Sequence, residues 1–141
     1  MKKVLGILIV ALIVVGGGIQ LIRPSIIGHN PPVVSEPQWP SPEVRTLAQR
    51  ACFDCHSNET TWWWYAQIAP ASWLTANDVA EGRSTLNFSD WPGGRRVEAG
   101  ELGEVVLEGE MPPGIYLLMH PSARLSDAER QTLAAGLNAL R

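Results

Sequence analysis

The stretch Cys52-Phe53-Asp54-Cys55-His56 combines two thiols and an imidazole at a spacing that one cofactor explains. In a CxxCH run the thiols lie about one helical turn apart, so both reach the vinyl groups on one edge of a porphyrin, and the next residue offers its imidazole to iron. The cofactor this points to is one covalently held haem (haem c), with Cys52 and Cys55 as attachment points and His56 as proximal ligand. Three other readings compete. A dithiol redox site needs only the cysteines, leaves His56 without a role, and lacks the strand pattern expected upstream of a thioredoxin-like motif. Zinc takes four ligands, and in a chain with two cysteines it would have to recruit His56 plus His29 or His120 from distant segments. A structural disulfide suits an oxidising compartment but also ignores the histidine.

Upstream, Met1-Lys2-Lys3 precedes Val4 to Ile22, nineteen residues with Gln20 as the one strongly polar side chain. Such a run is long enough to cross a bilayer as a helix. A cleaved signal peptide shares the basic start and apolar run. This run is longer than a usual signal core, however, and Gly16-Gly17-Gly18 is followed by no clear small-x-small cleavage site before Arg23-Pro24. Residues 1–23 are therefore read as a transmembrane anchor rather than a signal segment. Lys2 and Lys3 hold the short N-terminus in the cytoplasm, which sends the rest of the chain to a periplasm-like space.

Residues 24–40 hold Pro24, Pro31, Pro32, Pro37 and Pro40, with Gly28 and Asn30 between them. Proline fixes φ and removes a donor, so this segment is expected to be an extended, fairly stiff linker that lifts the domain from the membrane or lies along its surface. His29 is expected to be exposed, and Trp39 either tucks into the domain or sits near the interface. Beyond Lys3 the chain carries nine basic and fourteen acidic residues, a formal charge of about −5. That balance argues against nucleic acid as a partner and fits a soluble module or a docking face for a basic partner.

Residues 41–141 form the domain, enough for one small core. Ser41-Pro42-Glu43 is a helix start, with a side-chain oxygen at the N-cap, proline at N1 and an acidic residue at the positive end of the dipole. Val44, Leu47, Ala48 and Ala51 recur at helical spacing and deliver Cys52 and Cys55 in register with an apolar face. Trp62-Trp63-Trp64-Tyr65 is expected to place at least two of its rings in the core, and it also offers an aromatic wall for a haem. Pro70 opens a helix over Ala71 to Glu81, closed by Gly82, with Trp73, Leu74 and Val79 on its buried side. Ser84 to Gly94 reads as a loop. Arg95 to Glu108 is helical in pattern, with Val97, Leu102, Val105 and Val106 inward and Gly109 as its stop. Ser126-Asp127-Ala128-Glu129 is a capping box opening a last helix whose stripe is Leu133, Leu137 and Leu140. Gly136 in that helix marks a crossing point with the helix over Pro42 to Ala51, where Ala48 is also small.

Glu110-Met111-Pro112-Pro113 offers a sixth ligand. A thioether opposite His56 raises a haem's potential relative to two histidines, and two prolines stiffen the backbone behind Met111. Met111 is the first choice. Met119 and His120 are rivals in the loop Gly114 to Pro121, and His120 would give a lower-potential, bis-histidine haem.

A helix ending in CxxCH, a later Met-Pro-Pro and a closing capped helix together resemble the class I cytochrome c fold. More narrowly, the run Cys52 to Thr60, Trp64-Tyr65, Ile68-Ala69-Pro70, Asn87-Phe88-Ser89, Gly109-Glu110-Met111-Pro112-Pro113 and His120-Pro121 is similar to the bacterial haem-binding domain family, over roughly Trp39 to the C-terminus. It departs from the usual pattern at Trp63, where proline is usual, and at Gly114, where a bulkier residue is. The resemblance implies haem binding by Cys52, Cys55 and His56, and attachment on the outer face of the bacterial inner membrane, the side the anchor selects. The expectation is an all-α, class I cytochrome c-like haem domain behind an N-terminal transmembrane helix, facing the periplasm. With His56 and Met111 both on the iron, it would exchange single electrons with a redox partner protein and act on no small-molecule substrate, so it would not be an enzyme. The alternative is a haem-based sensor or small peroxidase-like enzyme with an open or labile sixth site, for which Arg95, Arg96 and Tyr116 are the nearest polar groups.

Overall fold

The computed structural model describes residues 1–91, 93 and 98–140. In chain order the helices are α1 (Lys2–Ile19), α2 (Pro42–Ala51), α3 (Phe53–His56), α4 (Ala71–Thr85), α5 (Ala99–Leu107), α6 (Gly114–Met119) and α7 (Asp127–Asn138), with 3₁₀ turns at Trp64–Gln67 and Pro121–Ala123. Among the described residues no strand forms, and Ser35 and Asp90 make an isolated bridge. The fold is all-α, as expected. It divides into two compact units, one of Met1–His29 with Trp62–Asp78, the other of Asn30–Thr61 with Val79–Arg141.

The first unit is built on α1, none of whose residues is buried. An apolar helix of 18 residues with no buried side chain is not a core helix, and its length and composition suit a membrane span. The chain just past its end is tied to the other segment of the unit. The Gln20 amide donates to the Ala69 carbonyl at 3.1 Å and accepts from the Ala69 N–H at 2.9 Å. Trp73 Nε1 donates to Ile22 O at 2.7 Å, and the Arg23 guanidinium donates to Gln67 Oε1. The aromatic strip belongs here and differs from expectation, because none of Trp62, Trp63, Trp64 and Tyr65 is buried. Four consecutive bulky rings, two of them leading into the 3₁₀ turn and two on it, point in too many directions for one small unit to cover.

In the second unit α2 begins as its sequence dictates, with Ser41 Oγ accepting from Val44 N at 3.2 Å and Pro42 at N1. Val44, Leu47, Ala48 and Ala51 are all buried. The last helix keeps its capping box, Ser126 Oγ accepting from Glu129 N while Glu129 Oε2 accepts from Ser126 N at 2.8 Å. Leu133, Leu137 and Leu140 are buried against the same core. The crossing of α2 and α7 lies at Gly136, as expected. Its partner is Val44 rather than Ala48, for a Cβ on Gly136 would lie 2.5 Å from both Val44 methyls. A second close approach sets α5 on α7: a Cβ on Gly103 would lie 2.7 Å from Ala134 O, and Gly103 N donates to Asn138 Oδ1 at 2.8 Å.

Several elements differ from the sequence reading. Helix α4 runs through Gly82 to Thr85, and Leu74, expected inside, is exposed. The buried positions are Ser72, Ala76, Val79 and Gly82, a stripe of mostly small residues that hydropathy underweights. Residues 86–91 are a loop, but a buried one: Leu86, Asn87, Phe88, Ser89 and Trp91 are all inside. Gly114 to Met119 is a short helix rather than a loop, started by Pro113, whose carbonyl accepts from Leu117 N. Helix α5 stops at Gly109, which takes φ +78°, as expected. Arg95, Arg96 and Val97 lie outside the described residues.

The proline-rich segment is not extended throughout: it turns over residues 25–28, where Ile27 N donates to Pro24 O and His29 N to Ile26 O, and from Asn30 onward it packs within the second unit. Val34 N and Ser35 N donate to Ser89 O, Trp91 N donates to Ser35 O, and Ser35 Oγ donates to Trp91 O. The Arg45 guanidinium grips Glu36 through two bonds of 2.7 and 2.8 Å, which hold the Glu36 carboxyl below its ordinary pKa. Trp39 tucks into the domain, its ring 5.2 Å from Phe88 and 6.1 Å from Phe53.

Candidate haem site

The motif is the hinge between α2 and α3. Cys52 closes α2 and caps α3 with φ −126° and ψ −31°, and its carbonyl accepts from Cys55 N at 3.2 Å and His56 N at 2.9 Å. That single tight turn carries Cys52, Cys55 and His56 together, all half-buried. The two intervening residues fasten it. Phe53 is 2 % exposed and stacks on Phe88 at 5.7 Å, which nails the turn to the core. Asp54 Oδ1 accepts from Thr61 N at 2.9 Å and Oδ2 accepts from Tyr116 Oη at 2.8 Å, which fixes α6 beside the motif.

His56 is held more closely still. Its Nδ1 faces Gly82 O and Leu86 O, each at 3.1 Å, at the C-terminal end of α4. Two carbonyls there fix the proton on Nδ1 and leave the Nε2 lone pair to serve as a metal ligand, the usual arrangement behind a ligating histidine. Burial lowers the His56 pKa and the two carbonyls oppose it. Phe88 N donates to His56 O at 2.8 Å, so the buried loop after α4 holds the residue by ring and backbone. Gly82 is required for this approach: a Cβ there would lie 2.5 Å from Cys55 O. The glycine that reads in sequence as a helix stop is instead the point where α4 meets the motif.

Neither cysteine is in a disulfide. Burial, reinforced by the neighbouring Cys55, pushes the Cys52 thiol up to about 12. A dithiol redox site needs a thiolate of low pKa, which the raised Cys52 thiol disfavours. Among the described residues no three His, Cys, Asp or Glu side chains gather to hold a metal ion such as zinc. Two thiols on one turn, beside an imidazole with Nδ1 engaged, fit a haem.

Of the three candidates for the sixth ligand, Met111 follows α5, with its N–H on Val105 O, and its side chain is exposed at 37 %. Met119, at the end of α6, is also exposed. His120 is buried and stacks on Tyr116, ring centroids 4.0 Å apart. Burial lowers its pKa while the Asp54 charge opposes.

Sequence reasoning missed Arg83. Its Nε donates to Ser57 O at 2.8 Å, and one terminal nitrogen donates to Thr60 Oγ1 at 2.9 Å and Asn30 Oδ1 at 3.0 Å, fastening the turn after His56. Asn58, Asn87 and Ser89 form a buried chain of satisfied polar groups beside it: Asn87 donates to Asn58 Oδ1, Ser89 N to Asn87 Oδ1, and Asn58 N to Ser89 Oγ, each at 2.9 Å. An arginine among surface charges carries no local mark of such a role. The asparagines and the serine were legible only through the family resemblance.

No curated protein and no solved structure matches the chain. The model of a haem-binding domain matches residues 14–139, starting inside α1 and taking in the whole proline-rich segment, further N-terminal than the motifs beginning at Trp39. A CxxCH turn with its histidine held by the end of α4 is thus found in a chain that belongs to the haem-binding domain family.

Proposed function

We propose that the chain is a membrane-anchored, periplasm-facing mono-haem c-type cytochrome domain that transfers single electrons to or from a redox partner protein. The observation that carries this is the hold on His56, whose Nδ1 is taken by Gly82 O and Leu86 O on the same turn as two thiols that form no disulfide. Cys52 and Cys55 hold the haem by thioethers, and His56 ligates through Nε2. A bound haem supplies a one-electron iron couple. Met111 would be the second protein ligand: it is exposed and its backbone is stiffened by Pro112 and Pro113, whereas the His120 ring is buried and stacked. With both positions filled by protein side chains the domain has no site for a small substrate, so it is a carrier and not an enzyme. The sensor or peroxidase reading finds less support, since the Tyr116 hydroxyl it would use donates to Asp54.

The location follows from α1. Lys2 and Lys3 favour a cytoplasmic N-terminus, in the bacterial inner membrane. Retention of the anchor is supported by the bonds that Gln20 and Ile22 make to Ala69 and Trp73, contacts without purpose in a leader that is discarded.

Visible spectra of the full chain matured with c-type haem machinery test the ligand set. The expected result is low-spin haem with a methionine charge-transfer band that Met111→Ala abolishes. A high-spin native haem that binds carbon monoxide readily would overturn it.

A further inference from the structure

The first unit leaves large apolar side chains exposed in the segment joined to the end of α1. Trp64 is 67 % exposed, and Trp63, Ile68 and Leu74 are between 43 and 49 % exposed. A soluble surface rarely gathers two indoles and two aliphatic side chains within twelve residues of chain without a partner. What covers them is indicated by where they are fastened.

Helix α1 has 18 residues, about 27 Å at 1.5 Å per residue, close to the roughly 30 Å hydrocarbon thickness of a bilayer. If α1 spans, its end near Ile19 emerges at the far headgroup boundary, and Gln20, Ile22 and Arg23 lie in that layer. Each of these three is hydrogen-bonded to the segment in question, Gln20 to Ala69, Ile22 to Trp73 and Arg23 to Gln67. The bonds bring residues 67–73 to the same depth. Indole rings, with an apolar body and a polar N–H, collect at this level of a membrane, and an arginine there meets lipid phosphates.

We propose that residues 63–74 form a second, interfacial membrane contact, in which Trp63, Trp64, Ile68 and Leu74 lie in the outer headgroup layer around the exit point of α1. This rests on the reading of α1 as an anchor. The occupant of the face is the lipid bilayer, because the face is continuous through those hydrogen bonds with a helix whose own covering is lipid. Its effect is to hold the first unit to the membrane at two places, so that α1 is not a free tether.

Photo-crosslinking to lipid tests it. The photoreactive residue p-benzoylphenylalanine is placed in the full chain at Trp64, at Ile13 within α1, or at Gln131 on the exposed side of α7. Each variant is reconstituted in vesicles of phosphatidylethanolamine and phosphatidylglycerol and irradiated, and peptides are read by mass spectrometry. Lipid adducts at 13 and 64, with position 64 severalfold above position 131, are expected. An adduct at 13 alone overturns the interfacial contact and leaves the anchor standing. No adduct at 13 or 64 overturns both. Equal adducts at 64 and 131, or a protein adduct in place of lipid at 64, also overturn the proposal.

Discussion

Two clusters of aromatic residues have opposite fates in this chain. Trp39, Phe53, Phe88 and Trp91 lie ring on ring inside the second unit, with centroids 5.2 to 6.4 Å apart, and Phe88 has no exposure at all. Trp62, Trp63, Trp64 and Tyr65 are adjacent in sequence and none is buried. Residue type is nearly the same; what differs is spacing. Rings contributed by three separated segments can converge on one point from different sides. Four in a row cannot, and their surplus surface is left for something outside the protein. The first cluster holds the haem motif in place through Phe53, and the second faces outward on the unit that carries the membrane helix.

The largest effect that would break this contrast is truncation. Phe88→Ala should destabilise the second unit by about 3–5 kcal/mol, whereas Trp64→Ala should change stability by less than about 0.5 kcal/mol, as read by denaturant unfolding of the full chain in detergent. Comparable losses in the two variants would end the distinction. Next come the close approaches. Gly82→Ala and Gly136→Leu each force atoms against neighbours 2.5 Å away, Cys55 O and the Val44 methyls, and should cost about 1–3 kcal/mol or more. Gly100→Ala, with nothing within 4 Å of the new methyl, should be neutral or stabilising by up to about 1 kcal/mol. Thermal melts of the three variants side by side decide whether the glycines act by packing. A full-stability Gly136→Leu chain would contradict the α2–α7 crossing.

Smaller effects sharpen the picture at α7. Ser126→Ala removes the cap oxygen and should cost about 1 kcal/mol. The Glu129 carboxyl is lowered to about 2 by the Ser126 N–H first and by the Arg50 guanidinium at 2.7 Å next. A carboxylate depressed in the fold contributes stability that is complete above its ordinary value of 4.5 and fades as pH falls toward 2. Glu129→Gln should therefore flatten the acid limb of a stability profile between those values and leave the shape above pH 5 unchanged. Because the group is exposed the effect is small.

How much of this was legible in sequence depends on how local each signal is. The starts of α2 and α7 are written in adjacent residues, a cap oxygen, a proline and a capping box, and both helices begin there. Gly136 was legible because a glycine inside an apolar helical stripe weakens the helix and is tolerated where another element packs close against it. Gly82 misled because a glycine near a helix end more often stops it, and only Cys55 across the fold reveals why it is there. Arg83 and the bonds that fasten residues 30–35 are long-range features, made by partners more than twenty residues away, and no pattern in their own neighbourhood marks them. In the site, Cys52, Cys55 and His56 stood out by themselves, but the two carbonyls that orient His56 come from backbone, which sequence does not show.

The most direct test of the central claim is the intact mass of the denatured chain after maturation with c-type haem machinery. A mass greater than that of the polypeptide by one haem, and lost in Cys52→Ser/Cys55→Ser, is the predicted result. A preparation that absorbs as haem when folded but gives the bare polypeptide mass on denaturation would contradict it.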